Sequence, residues 1–209
     1  MISEANQGLL FVVSAPSGVG KTTIIRAVQE AWPQLRYSIS CTTRSPRTGE
    51  REGVDYHFIT RQEFLGGIRA GRFVEWAEVH GEFYGTDGQQ VDKWLAEGKD
   101  VLLDIDIQGA RQVRCAYPAA VTIFILPPSM EVLKERLESR GTESEEQVAI
   151  RLGAAQREIL EAPWYDYLVL NEILHEAIAD FNAILRACRC ARAHRAAQLR
   201  DFLLLREPH

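Results

Sequence analysis

The run Ser14-Ala15-Pro16-Ser17-Gly18-Val19-Gly20-Lys21-Thr22-Thr23 carries the most specific chemistry in the chain. Against the pattern G-x-x-x-x-G-K-[ST], every required position fits except the first, where Ala15 stands for glycine. Such a loop turns consecutive backbone N–H groups toward phosphate oxygens and sets them at a helix N-terminus, which adds partial positive charge. Within it Lys21 is expected to span the β- and γ-phosphates of a nucleoside triphosphate and Thr22 to ligate Mg²⁺. Alanine resists positive φ where glycine does not, so Ala15 is tolerated only if the backbone there keeps negative φ. A glycine turn with a surface lysine would look alike in isolation; the flanking elements decide between the two.

Those elements suit a cradle. The apolar run Leu9-Leu10-Phe11-Val12-Val13 is short, continuous and β-branched at its end, as in a strand buried on both faces of a parallel sheet. Over residues 21–32 the apolar positions Ile24, Ile25, Val28 and Trp32 share one helical face, and Pro33 stops the helix. Further buried strands are expected at 101–107, 121–126 and 167–170, with a helix over 108–117 between the first two. The alternation predicts an α/β fold with a doubly wound parallel sheet of P-loop NTPase type. Residues from Ser38 to about Leu95 differ in character, with turn residues and alternating patches, and predict an insertion with a small antiparallel sheet. A helix over 129–139 is followed by Gly141, suited to a C′ position, and by Thr142 and Glu145, which match a capping box. Residues 172–206 look helical, with Arg186, Arg189, Arg192 and Arg195 forming a stripe best explained as a solvated face.

Bulk properties narrow the partners. The 209 residues are 46% hydrophobic, 9% aromatic and 25% charged, an ordinary globular balance with material for a real core. A formal charge of −5 supplies no global positive field for a nucleic acid or an anionic membrane, so any phosphate is met locally. No stretch approaches the roughly 18 apolar residues of a membrane helix, and Met1-Ile2-Ser3-Glu4 lacks a basic secretory start. A cytoplasmic location is expected. Cys41, Cys115, Cys188 and Cys190 are too few and too irregularly spaced for a disulfide framework or a paired zinc site. The five histidines show no pair at helical ligand spacing, so no metal cage is expected.

A second signature lies in the insertion: Ser40-Cys41-Thr42-Thr43-Arg44-Ser45-Pro46-Arg47-Thr48-Gly49-Glu50, then Gly53-Val54-Asp55-Tyr56-His57-Phe58. Phe73-Val74-Glu75-Trp76, Tyr84-Gly85-Thr86, Leu103-Asp104-Ile105-Asp106-Ile107-Gln108-Gly109 and Arg136-Leu137-Glu138-Ser139-Arg140-Gly141-Thr142 follow in order. Together these segments resemble the guanylate kinases, bacterial type, over most of the chain. The resemblance implies one domain with its core at 1–39, 96–136 and 152–209, a GMP-binding insertion at about 40–95 and a helical lid at about 137–151. It also implies phosphoryl transfer from ATP to GMP or dGMP with Mg²⁺, and it leaves monomer and homo-oligomer both open.

By the same resemblance Ser40, Arg44, Arg47 and Tyr56 take the GMP phosphate with help from Tyr84, while Glu75, Thr86 and Asp106 face the base. Guanidinium forks suit a dianionic monoester, and a carboxylate suits guanine because its oxygens accept from N1–H and the 2-amino group together. Adenine would present an unprotonated N1 to the same anion and leave buried polar groups unpaired. For the transfer itself the resemblance points to Lys21, Arg44, Arg136, Arg140 and Arg151, to Asp104 beside Mg²⁺, and to Asn171 near adenine. No general base is required, since a monophosphate with second pKa near 6 already offers an anionic oxygen. Two other readings use the same scaffold: a silent module that binds phosphopeptides, and a kinase of a ribose phosphate. The intact set Lys21, Thr22, Arg136, Arg140 and Arg151 argues against the first. Thr42-Thr43-Arg44 with Glu75 argues against the second.

Overall fold

The computed structural model describes residues 7–79, 81–139, 144–191, 194–196, 199–200 and 203. Strand β1 (Leu10–Ser14) runs into the glycine loop and helix α1 (Lys21–Ala31), and β2 (Arg36–Ser38) follows. The insertion holds β3 (Cys41–Thr42), β4 (His57–Phe58), α2 (Arg61–Arg69), β5 (Phe73–Val79) and β6 (Glu82–Asp87). Then come α3 (Gly88–Ala96), β7 (Val101–Asp104), α4 (Ile107–Ala116), β8 (Val121–Leu126), α5 (Met130–Glu138), α6 (Glu145–Ile159), β9 (Tyr167–Leu170) and α7 (Leu174–Cys190).

The core is a five-stranded sheet in the order β2-β7-β1-β8-β9, parallel throughout. All five residues of β1 are buried, because its alternate side chains enter two different cores. Phe11 and Val13 pack with Ile24, Val28, Val169, Phe181 and Leu185, which places α1 and α7 on one face. Leu10 and Val12 pack with Val91, Leu95, Leu103, Val113 and Phe124, which places α3 and α4 on the other. This two-sided burial is why the strand reads as continuous rather than alternating hydrophobicity. Helix α3 falls inside the insertion by sequence character, yet Val91 and Leu95 seat it on the core sheet.

Strand β2, unmarked in the sequence, pairs with β7 as an edge strand and only Ser38 of its three residues is buried. The strand expected at 101–107 ends at Asp104, because Asp106 N-caps α4 by accepting the N–H of Gly109 at 2.8 Å. The insertion sheet, expected to be antiparallel, has the order β4-β3-β6-β5 and is mixed: β3 pairs parallel with β4 and antiparallel with β6. Its own small core stacks Phe64 on Phe73 and Phe83, with ring centroids 4.3 and 5.2 Å apart.

Helices α5 and α6 close on each other through Leu133, Leu137, Val148 and Ala155. A capping box of Ser144 and Gln147 opens α6, with Ser144 as its N-cap; the box expected from Thr142 and Glu145 rests on Thr142, which lies outside the described residues. Helix α7 ends at Cys190, with Ala191 in an extended conformation, so the helix expected over 172–206 is interrupted. Its arginine stripe has internal partners: Arg186 and Arg189 lie over the Trp32 ring, and Arg189 pairs with buried Asp100 at 3.1 Å. Asp100 also accepts the N–H of Leu9, tying the start of β1 to the same ion pair. Arg192 lies outside the described residues.

Candidate functional site: a two-station phosphate cleft

The loop between β1 and α1 is shaped by two glycines with left-handed backbones, Gly18 at φ +90° and Gly20 at φ +98°. Both also lack room for a side chain. A Cβ on Gly18 would meet Leu137 at 2.7 Å, and one on Gly20 would meet the Asn171 amide at 2.7 Å. Asn171, buried at the end of β9, donates to the Val19 carbonyl at 2.6 Å. Arg136 reaches the same carbonyl at 3.2 Å and donates to the Asn171 carbonyl at 3.0 Å. These two residues therefore brace the loop from behind, and this leaves the amides on its other side to face a ligand. Lys21 opens α1 and is ion-paired with Asp104 at the end of β7. Ser17 accepts a long contact of 3.4 Å from Arg151 of α6.

From the loop a cleft of about 600 Å³ runs between the core sheet and the insertion. Ala15, Lys21, Asp104, Asp106 and Arg151 line its core side, and Ser40, Arg44, Arg47, Tyr56, Glu75 and Tyr84 line the insertion side. Eleven residues singled out from the sequence thus share one cavity. Pro16, Val19, Thr22 and Thr23 belong to the loop and first turn without lining it. Thr86 is buried behind Glu75, and Arg140 lies outside the described residues.

Arg44 is held on every side. Its Nε donates to Tyr84 at 3.1 Å, Nη1 to the Ser45 carbonyl, and Nη2 to both oxygens of Glu50 at 2.8 and 3.0 Å, while the guanidinium lies over the Tyr56 ring. Glu50 also accepts the Arg47 N–H, and these bonds from Arg44 and Arg47 hold its carboxyl below the usual carboxylate range. In the sequence Glu50 stands only as part of a signature, with no role of its own. A carboxylate three and six residues from two phosphate-seeking arginines was the available signal. Tyr37 of β2 also lines the cleft; burial and nearby Asp104 push its hydroxyl pKa far up.

Glu75 sits on β5 just after a bulge between Phe73 and Glu75, and a bulge re-aims the side chain that follows it. The alternation of β5 then buries Glu75 and Ala77 and exposes Trp76. Glu75 is 5% exposed and accepts a 2.5 Å hydrogen bond from the Thr86 hydroxyl. Burial is the main reason its pKa rises to about 7; Thr86 opposes the shift and the Asp106 charge adds to it.

Hard oxygens from Thr22 and Asp104 near the loop suit Mg²⁺, which is commonly held by one or two protein groups together with substrate phosphates. Among the described residues no group of three His, Cys, Asp or Glu side chains is placed to hold a metal ion.

A glycine cradle and an arginine cup facing one cleft, on a parallel-sheet core with two appended units, is the layout of the P-loop nucleoside monophosphate kinases. The guanylate kinase family model matches residues 7–188. A guanylate kinase from Symbiobacterium thermophilum is 50% identical over 198 residues, covering 95% of this chain and 94% of that protein. One from Dechloromonas aromatica is 51% identical over 180 residues, covering 86% and 89%. The crystal structure of guanylate kinase from Anaplasma phagocytophilum superposes with a TM-score of 0.75 at 36% identity, over 90% of each chain. The chain belongs to the guanylate kinase family.

Proposed function

We propose that this chain catalyses transfer of the γ-phosphoryl group of ATP to GMP, or dGMP, within the cleft between the core sheet and the insertion. The observation that carries the reading is the joint lining of that cleft by the cradle lysine Lys21, the arginines Arg44, Arg47 and Arg151, and the buried carboxyl of Glu75. Cations at both ends answer the charge of donor and acceptor, while a single buried acid at the far wall selects the base.

In this division of labour the loop from Ala15 to Thr23 holds the ATP phosphates, and Lys21 leaves Asp104 to meet them. Thr22 and Asp104 would hold Mg²⁺, which when bound neutralises charge on the phosphates. Arg44, Arg47, Ser40, Tyr56 and Tyr84 seat the GMP phosphate. Glu75, with Thr86 behind it and Asp106 beside it, takes the guanine edge. Arg151 reaches the cradle from the lid, and Arg140 is assigned the same role by resemblance alone. Arg136 acts through the loop it braces and adds its charge behind the cradle. Asn171 shares that bracing, and its position at the loop's back leaves adenine to stack nearby. Closure of lid and insertion excludes water, which would otherwise accept the phosphoryl group. The chemistry of free nucleotide substrates and of four unpaired cysteines supports action in the cytoplasm.

Two substitutions separate the stations. Glu75→Ala should raise KM for GMP at least tenfold and narrow the preference over AMP, with a smaller change in kcat. Lys21→Ala should lower kcat by about 10² or more while GMP binding persists. Steady-state kinetics with each monophosphate, together with calorimetric GMP binding, check both; equal loss of GMP binding in the two variants would contradict the assignment.

A further inference from the structure

Glu75 and the glycine beside it carry a consequence beyond guanine recognition. Gly109 lies in the first turn of α4, and a Cβ there would meet Glu75 Oε2 at 2.6 Å and Asp106 Oδ1 at 3.4 Å. The carboxyl of Glu75 is thus pressed against the bare Cα of Gly109, with its other oxygen on the Thr86 hydroxyl. Gln112, one turn along α4, holds this approach by a paired contact with β5: it accepts the Trp76 N–H at 3.1 Å and donates to the Trp76 carbonyl at 2.9 Å.

The charged groups around this carboxyl do little to keep it ionised. From the N-cap of α4 it meets Asp106, a like charge, and from β6 the hydroxyl of Thr86. Of the cations lining the same cleft, Arg44 is in contact with Glu50 and Lys21 with Asp104; Arg47 and Arg151 line it as well, and the shift of Glu75 is set by burial, Thr86 and Asp106 rather than by any of the four. A dry carboxyl beside a carboxylate titrates close to neutral pH rather than near the ordinary carboxylate value.

The two protonation states recognise different base edges. The carboxylate offers two acceptors, matched by guanine N1–H and its 2-amino group. The carboxylic acid turns a donor toward N1, which adenine accepts and guanine N1–H opposes; the 6-amino group of adenine lies on the other side of N1, so the second carboxyl oxygen meets C2–H. We propose that base selection by this chain is proton-linked: ionised Glu75 selects guanine, protonated Glu75 shifts the preference toward adenine, and Gly109 is the positioning residue that makes the carboxyl switchable. The proposal rests on the assignment of Glu75 to the base. Binding GMP then expels a proton from Glu75, and acid weakens GMP while strengthening AMP.

The test is the ratio of kcat/KM for GMP to kcat/KM for AMP across pH 6 to 8. Both substrates carry the same titrating phosphate, so its ionisation cancels in the ratio. From one pH unit above a midpoint near 7 to one unit below it, the ionised fraction falls about tenfold and the protonated fraction rises about tenfold. The ratio is expected to fall by about a hundredfold from pH 8 to pH 6, about tenfold from each substrate, with the AMP value itself rising. A ratio constant within threefold, or an AMP value that does not rise, overturns the proposal. Absence of any GMP activity would instead overturn the guanine assignment beneath it.

Two variants report on position without relying on activity. In Gly109→Ala the methyl group drives the carboxyl off its seat toward water, so its titration midpoint, read by carbon-13 NMR of labelled glutamate, should move down by a unit or more. In Thr86→Val the lost hydroxyl removes a group that favours the charged form, so the midpoint should move up. Movement of neither midpoint, in variants whose spectra show the native fold, contradicts the role given to Gly109.

Discussion

At the residue scale the cleft buries or pairs its charged groups at close quarters. Glu75 is the clearest case, and it has a measurable effect on stability. An acid whose folded pKa is about 7 instead of 4.5 binds more protons folded than unfolded between those values, so stability falls as pH rises through that window. The penalty, fully present above pH 7, is on the order of 3 kcal/mol if the whole shift arises in the folded state. Glu75→Gln should therefore be more stable than the parent chain at pH 8, with the difference vanishing toward pH 4. Urea unfolding at the two pH values measures it. A variant less stable than the parent at pH 8 would show that the carboxylate is better solvated than its 5% exposure implies.

Much of this scale was legible beforehand, because Lys21, the signature arginines and Glu75 each need a specific residue type. What the sequence hid were residues acting through others. Gly109 looks like any glycine opening a helix, since its importance lies in a carboxyl that arrives from a strand 34 positions earlier. Glu50 and Asn171 were visible as letters, but not as the anion opposite Arg44 or the amide under Val19.

At the element scale, the strand–loop–helix unit is held by its neighbours more than by its own sequence. Gly18 and Gly20 supply the left-handed turns, and Arg136 and Asn171 supply the brace. Asn171→Ala would leave the buried Val19 carbonyl with only the longer Arg136 contact, at a cost of about 1–2 kcal/mol. Because the loop loses its backing, KM for ATP should rise several-fold while KM for GMP stays near the parent value. Steady-state kinetics at saturating co-substrate distinguish this from a general loss of stability, which would leave both constants unchanged.

Helices and core strands were readable in advance because their hydrophobic periods are long enough to show: α1 starts at Lys21 and β8 spans Val121–Leu126, as the pattern implies. Short elements were not. Strand β2 has three residues and one buried side chain, too few for a period, and its place is fixed by pairing with β7. The parallel pairing of β3 with β4 joins two-residue strands through a long loop, which no local pattern encodes. The N-cap of α6 is Ser144, whose hydroxyl accepts the Gln147 N–H while the Gln147 side chain accepts the Ser144 N–H; Thr142 with Glu145 has the same spacing, so the sequence pattern alone does not choose between them.

At the scale of the whole molecule, a core sheet packed on both faces carries two smaller units with separate hydrophobic clusters. Leu133, Leu137, Val148 and Ala155 form one, and Cys41, Phe64 and Phe83 the other. Separate small cores lead to the expectation that each unit shifts as a body against the central sheet when nucleotides bind. Binding of GMP together with a non-hydrolysable ATP analogue should therefore lower the radius of gyration, and small-angle scattering should show a smaller change with either ligand alone. An unchanged radius with both bound would contradict closure as the means of excluding water.

The central claim is that one cleft brings ATP and a guanine nucleotide together for direct phosphoryl transfer. A coupled assay for ADP formation, with ATP and Mg²⁺ fixed and GMP, dGMP, AMP, CMP and UMP each supplied in turn at pH 8, measures it most directly. The account predicts rapid turnover with GMP and dGMP and at least a hundredfold lower kcat/KM with the others. Absence of turnover with GMP, or turnover with AMP to match it at that pH, would contradict it.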